Sequence, residues 1–194
     1  MDTEIIRLTP ENTDNAVSRA AEIINRGGLV IFPTETVYGL GADATNPKAA
    51  KSIYSAKGRP SDNPLIIHIA DFRDAEKYTY TSDKYYKLAE AFMPGPLTVV
   101  MPSNPTIPPE TRGGLDTVAV RCPSHPFARM LIKAAGVPIA APSANISGSP
   151  SPTTVKHVID DMYGRVAAII DGGECEIGLE STIVKIQDDG MLLL

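Results

Sequence analysis

Asn12-Thr-Asp-Asn-Ala-Val-Ser-Arg-Ala-Ala-Glu-Ile-Ile-Asn-Arg-Gly-Gly-Leu-Val-Ile-Phe-Pro33 changes its period halfway along. Ala16, Val17, Ala20, Ile23 and Ile24 recur at helical spacing, which predicts a helix over 12–26 with one apolar face and Asn12 or Thr13 as its cap. Gly27 and Gly28 stop that helix. The next four residues, 29–32, are apolar without a break, as in a short buried strand, and Pro33 ends them. A helix feeding directly into a buried strand is the repeating unit of layered α/β folds.

The same alternation runs outward in both directions. Further strands are predicted at 5–8, 65–69, 97–101, 117–121, 139–141, 167–170 and 181–186, and further helices at 47–56, 82–92, 126–135 and 153–162. Asn46 before Pro47 reads as a cap followed by proline at the first helical position. The spacing is uneven and some strands have no helix between them, so the sheet is expected to be mixed, parallel and antiparallel, with helices on its faces. A chain of 194 residues fits a single domain, 1–194. Pro102-Ser-Asn-Pro-Thr-Ile-Pro-Pro109, followed by Gly113-Gly114, is either a functional lid or a plain exposed loop.

Charge and composition narrow the class. With 18 Lys+Arg against 23 Asp+Glu, a net charge of -5, the chain does not wrap nucleic acid through bulk charge, though a local basic patch is compatible with it. No apolar run reaches the roughly 18 residues of a membrane span. Met1-Asp-Thr-Glu-Ile-Ile-Arg7 has no basic-then-apolar signal pattern. Cys122 and Cys175 make neither a disulfide framework nor a zinc spacing. The expectation is a cytoplasmic protein, with no membrane contact and no metal held by the protein itself.

Against that acidic background, Lys57 and Arg59 stand one residue apart in Ser55-Ala-Lys-Gly-Arg-Pro60. Arg presents a planar fork to oxyanions and Lys a mobile point charge. Ser61 and Asn63 add neutral hydrogen-bonding groups. The pattern reads as an anion grip, or as a solvated turn whose cations offset the dipole of the preceding helix. Pro33-Thr-Glu-Thr-Val-Tyr-Gly-Leu40 places Thr34 and Thr36 after a strand, where they either bond a small polar ligand or cap a turn. Gly39-Leu-Gly-Ala-Asp-Ala44 imitates a dinucleotide fingerprint, yet it does not follow its strand at once, which argues against a nicotinamide cofactor. His68 lies inside an apolar strand, as a satisfied core residue or as a ligand. Arg121 closes another strand, at a position where sites form or where an ion pair of little value sits. Ala141-Pro-Ser-Ala-Asn145 and Ser181-Thr182 are small, polar segments after and before strands. The chain carries no Gly-x-Ser-x-Gly and no Walker motif.

Together these segments resemble the YrdC-like family, the threonylcarbamoyladenylate synthases. The resemblance rests on 33–40, on Lys57-Gly-Arg-Pro60 and Asn63-Pro-Leu65, on Pro94-Gly-Pro-Leu-Thr98, Val120-Arg121, Ala141-Pro-Ser-Ala-Asn-Ile-Ser-Gly148 and Ser181-Thr-Ile-Val184. It covers nearly the whole chain, and the family's paired hallmark, Lys-x-Arg with Ser-x-Asn, is intact. It implies an α/β domain on a twisted mixed sheet with a concave basic face. It implies condensation of L-threonine, bicarbonate and ATP to threonylcarbamoyl-AMP and pyrophosphate. That product serves the machinery that modifies adenosine 37 of tRNAs reading codons that start with A. Lys57 and Arg59 become catalytic cations. Arg59, Asn63, Thr117, Ser143, Asn145 and Ser151 become nucleotide ligands, and Thr34, Thr36, His68, Arg121, Ala141 and Ser181 threonine ligands. Mg²⁺ is implied with the triphosphate, held by phosphate oxygens and water. The Gly39–Ala44 run becomes a tight turn. The rivals are a relative making another carbamoyl adenylate, and a non-catalytic module whose basic face contacts tRNA or double-stranded RNA.

Overall fold

The computed structural model describes residues 2–187 and 190–194; Met1, Asp188 and Asp189, which the 1–194 domain includes, lie outside them. Among the described residues ten strands form one sheet: β1 (Glu4–Arg7), β2 (Val30–Phe32), β3 (Gly39–Asp43), β4 (Ile66–His68), β5 (Leu97–Pro102), β6 (Thr117–Arg121), β7 (Ile139–Ala140), β8 (Ala168–Asp171), β9 (Thr182–Gln187) and β10 (Gly190–Leu193). The helices of the described residues are α1 (Thr13–Asn25), α2 (Pro47–Lys57), α3 (Asp83–Phe92), α4 (Pro109–Arg112), α5 (Pro126–Ala135) and α6 (Val155–Met162), with a 3₁₀ helix at Phe72–Lys77. The strand order is β1-β8-β2-β3-β7-β4-β6-β5-β9-β10. Among the described residues four neighbouring pairs are parallel and five antiparallel, the mixed sheet expected from the uneven spacing.

Helix ends follow local chemistry. Asn46 Oδ1 accepts from the backbone of Lys48 at 3.0 Å and Ala49 at 3.3 Å, Pro47 opens α2, and Gly58 ends it in the left-handed region at φ 60°. Asn12 occupies the cap position of α1 but its side chain bonds backward, accepting from Thr9 N and donating to Arg7 O.

Residues 39–44 are not a tight turn. Gly39–Asp43 form β3, antiparallel to β2 on one side and β7 on the other. Such a run has low strand propensity. It serves here because a side chain at Gly41 would meet the Phe32 ring at 2.6 Å and Ile139 at 3.0 Å. The Pro-rich stretch is not a free loop either. Ile107 within it is fully buried, α4 follows, and buried Thr111 donates to Ala44 O at 2.8 Å.

Strand alternation divides the core in two. Leu29, Ile31, Ile67, Val99, Val118, Val120 and Ala140 belong to a cluster that also holds the apolar faces of α2, α3 and α6. Val30, Phe32, Ile139, Ala168 and Ile170 point the opposite way, into a cluster with α1 and α5. That second cluster has no member from β4, β6, β5 or β9. The helices on its face cover only half of the sheet.

Candidate functional site

The uncovered half of that face carries a cleft of about 380 Å³. Its floor is made by alternate residues of neighbouring strands: Ile66 on β4, Thr117 and Ala119 on β6, Val100 on β5, Ile183 and Lys185 on β9. Each is out of phase with the residues that pack into the first cluster, as a two-residue period requires. Arg59, Asn63, Thr117 and Ser143, assigned to the nucleotide by resemblance, all line this one cleft. Arg59 reaches it from the loop after α2; its Nη2 donates to Pro64 O at 3.2 Å, while its Nε is buried without a partner.

Lys57, two residues earlier, does something different. It is 2% exposed. Its ammonium donates to the carbonyl oxygen of Ser143, to Asn145 O at 2.7 Å and to Asn145 Oδ1 at 3.4 Å. Asn145 in turn donates to Ile146 O at 2.9 Å and Ser149 O at 2.7 Å. On the far side of the loop Asp161 of α6 accepts from Ile146 N. The two halves of the Lys-x-Arg and Ser-x-Asn hallmark are therefore joined directly. Burial, then the neighbouring Arg59 charge, lowers the Lys57 pKa from its ordinary value to about 8.

A second, buried cluster lies at the carboxyl ends of β4 and β6. His68 and Arg121 are register partners on these parallel strands. Arg121 Nη2 meets Glu35 Oε1 at 2.8 Å, with side chains 5% and 4% exposed. Arg121 thus ends an interior strand in a buried ion pair, not at the sheet edge in a surface one. Burial pushes the His68 pKa down to about 3, with the Arg121 charge adding to the effect, so its imidazole is neutral near pH 7. Thr34 Oγ1 donates to Val37 O at 2.6 Å and lies 3.0 Å from Thr36 Oγ1, closing the turn that presents Glu35. Ala141 donates its N–H to Ile66 O at 2.9 Å.

The segment 172–181 lies over this cluster. Ile177 N donates to Glu35 O at 2.8 Å and Gly178 N to Thr36 O at 3.0 Å. At its end Ser181 Oγ and Thr98 Oγ1 are 2.7 Å apart, Thr98 being the register partner of Arg121. Ser151 is outside the cleft lining but bonds Glu180, which is in it. Glu35, Thr98 and Glu180 were given no role on the sequence, although Thr98 lies in one of the motifs that carry the resemblance. Glu35 had a signal of its own, a carboxylate set between two threonines after a strand.

These features define a class: an α/β domain with one mixed sheet, whose uncovered central face holds a polar cleft beside a buried, charged cluster. The chain belongs to the Sua5–YciO–YrdC family; the family model, described as Telomere recombination, matches residues 22–194. It is 51% identical to threonylcarbamoyl-AMP synthase of Bacillus subtilis over 93% of this chain and 53% of that one. It is 51% identical to the synthase of the same name from Pyrococcus abyssi over 99% of this chain and 57% of that one. The crystal structure of P. abyssi Sua5 complexed with L-threonine superposes with a TM-score of 0.94 at 50% identity, covering all of this chain and 57% of that one. The chain spans somewhat more than half the length of these relatives.

Proposed function

We propose that this domain condenses L-threonine, bicarbonate and ATP to threonylcarbamoyl-AMP, releasing pyrophosphate, as a nucleotidyltransferase. The observation that carries this reading is a spacing. The Ile66–Ala119 pair floors the cleft, and the His68–Arg121 pair lies two residues further along the same two strands. At strand rise that is about 7 Å, a distance that a threonine carbamate joined to an α-phosphate spans. The amino acid belongs in the buried cluster, among Thr36, His68, Arg121, Ala141 and Ser181, with Thr34 behind them. The nucleotide belongs in the cleft, on Arg59, Asn63, Thr117 and Ser143, with Ser151 at its margin.

Chemistry then follows from charge. The free amine of threonine bonds to the bicarbonate carbon, and the bicarbonate hydroxyl leaves with the amine proton as water, giving a carbamate. A carbamate oxygen then attacks the α-phosphorus, the bond to the β-phosphate oxygen breaks, and pyrophosphate leaves with the electron pair. Negative charge accumulates where Arg59 projects, and a preplaced cation is the main requirement for such a step. Lys57 serves the same site through the Ser143–Asn145 loop. Mg²⁺ bound with the triphosphate would offset its negative charge, and Glu180 is the carboxylate in the lining that would face it. The product feeds the machinery that modifies adenosine 37 of tRNAs reading ANN codons, which places the work in the cytoplasm. No helix among the described residues is long and apolar enough to cross a membrane.

Pyrophosphate release from MgATP tests the reading. Release is expected only when L-threonine and bicarbonate are both present. Release that persists without threonine, or RNA binding with no turnover at all, overturns it.

A further inference from the structure

One register row crosses the open half of the sheet: Ile66 on β4, Ala119 on β6, Val100 on β5 and Lys185 on β9. All four line the cleft. Among the described residues Lys185 is the one charged side chain that the strands bring to this floor, since Arg59 and Glu180 reach the cleft from loops. Its cross-strand neighbours, Val100 and Leu192, are apolar. Lys185 is half-buried, and among the described residues its ammonium forms no ion pair. Glu180, the one acid in the lining, bonds Ser151 instead. A lysine placed this way lays its stem over the apolar row and leaves its charge to the cleft.

The direction of the reaction decides what that charge meets. The carbamate comes from the His68–Arg121 row, two residues further along β4 and β6. Displacement at phosphorus runs roughly in line, with the attacking and leaving oxygens on opposite sides. The leaving pyrophosphate is therefore sent back over the row that holds Ala119 and Lys185. Arg59 stands at the β4 end of that row, with its guanidinium on Pro64 O. Lys185 stands at the β9 end, three strand spacings or about 14 Å away between backbones. Both long side chains reach inward from there, which leaves a gap of diphosphate size between two cations.

We propose that Lys185 binds the leaving pyrophosphate, its ammonium on β- and γ-phosphate oxygens opposite Arg59. This rests on the nucleotide cleft of the proposed function and adds to it a residue that no motif of the sequence assigns. The residue type suits the part. A lysine is a mobile point charge with three rotatable donors, able to follow a group that must depart, whereas an arginine fork fixes one geometry.

The test is calorimetric titration of the wild type and of Lys185→Met, which keeps the apolar stem, with inorganic pyrophosphate and with AMP. AMP carries only the α-phosphate and does not reach the place assigned to Lys185. The variant is expected to weaken pyrophosphate at least about fivefold more than AMP, and Lys185→Arg to recover most of that loss. A smaller difference between the two probes, or an Arg variant no better than Met, overturns the inference. Lys185→Gln takes the place of the Met variant should that one not fold. A wild type that binds neither probe overturns the functional reading beneath. A wild type that binds both and releases pyrophosphate with threonine and bicarbonate, while Lys185→Met spares pyrophosphate binding, overturns only this inference.

Discussion

Lys57 is a cation surrounded by carbonyl oxygens instead of water, and its protonation has consequences of opposite sign for stability and for activity. Its folded pKa is lowered from 10.5 to about 8 by burial and by Arg59. The unfolded chain keeps the proton up to the ordinary value. Between pH 8 and 10.5 the unfolded state thus binds more protons at this residue, and the stability it contributes rises with pH. Catalysis depends instead on the charged form, which holds the Ser143–Asn145 loop, so activity falls as pH climbs through about 8. Lys57→Met removes both effects. Urea unfolding at pH 8 and at pH 10.5 is expected to show the wild type gaining stability relative to the variant. At pH 7 the variant is expected to raise KM for ATP at least about tenfold, equivalent to 1.4 kcal/mol, because the loop that lines the cleft loses its clamp. An unchanged KM would remove Lys57 from the nucleotide site.

Elements whose signals are local were legible in the sequence, and those defined by distant partners were not. The start of helix α2 could be read from Asn46 and Pro47, and α5 and β6 have the bounds that periodicity predicts. Strand β3 could not be read, because its reason lies in Phe32 and Ile139, residues of other strands. The candidate site divides in the same way. Arg59, Asn63, Thr117 and Ser143 were named through family motifs, whereas the pairing of Glu35 with Arg121 joins residues 86 positions apart. Neither end announces the other in the sequence. The close fit at β3 is itself testable. A methyl at Gly41 would sit 2.6 Å from the Phe32 ring, which is fully buried and has little room to yield. Gly41→Ala is expected to cost about 1–3 kcal/mol in urea unfolding; a change within experimental error would show that the β2–β3–β7 interface is looser than these distances imply.

At the scale of the molecule, function follows from what the helices leave bare. Helices α1 and α5 cover β8, β2 and β7 on one face, and the same face over β4, β6, β5 and β9 stays open as the cleft. Ala119 sits in the middle of that floor, opposite Val100 and two residues before Arg121. Its side chain points away from the core that holds Val118 and Val120, so a larger residue there enters the cleft and not the interior. Ala119→Phe is therefore expected to fold with a melting temperature close to that of the wild type. A ligand at about a hundred times its Kd stabilises the folded state by about 2.7 kcal/mol. At about 2–4 °C per kcal/mol for a chain of this size, MgATP should raise the wild-type melting point by roughly 5–11 °C. The variant should lose that rise while keeping the one produced by threonine, whose site begins beyond Ala119. Retention of the full MgATP shift in Ala119→Phe would mean that the nucleotide lies elsewhere. Loss of both shifts together would mean that the cleft and the buried cluster are a single pocket, not two sites laid end to end on the same strands.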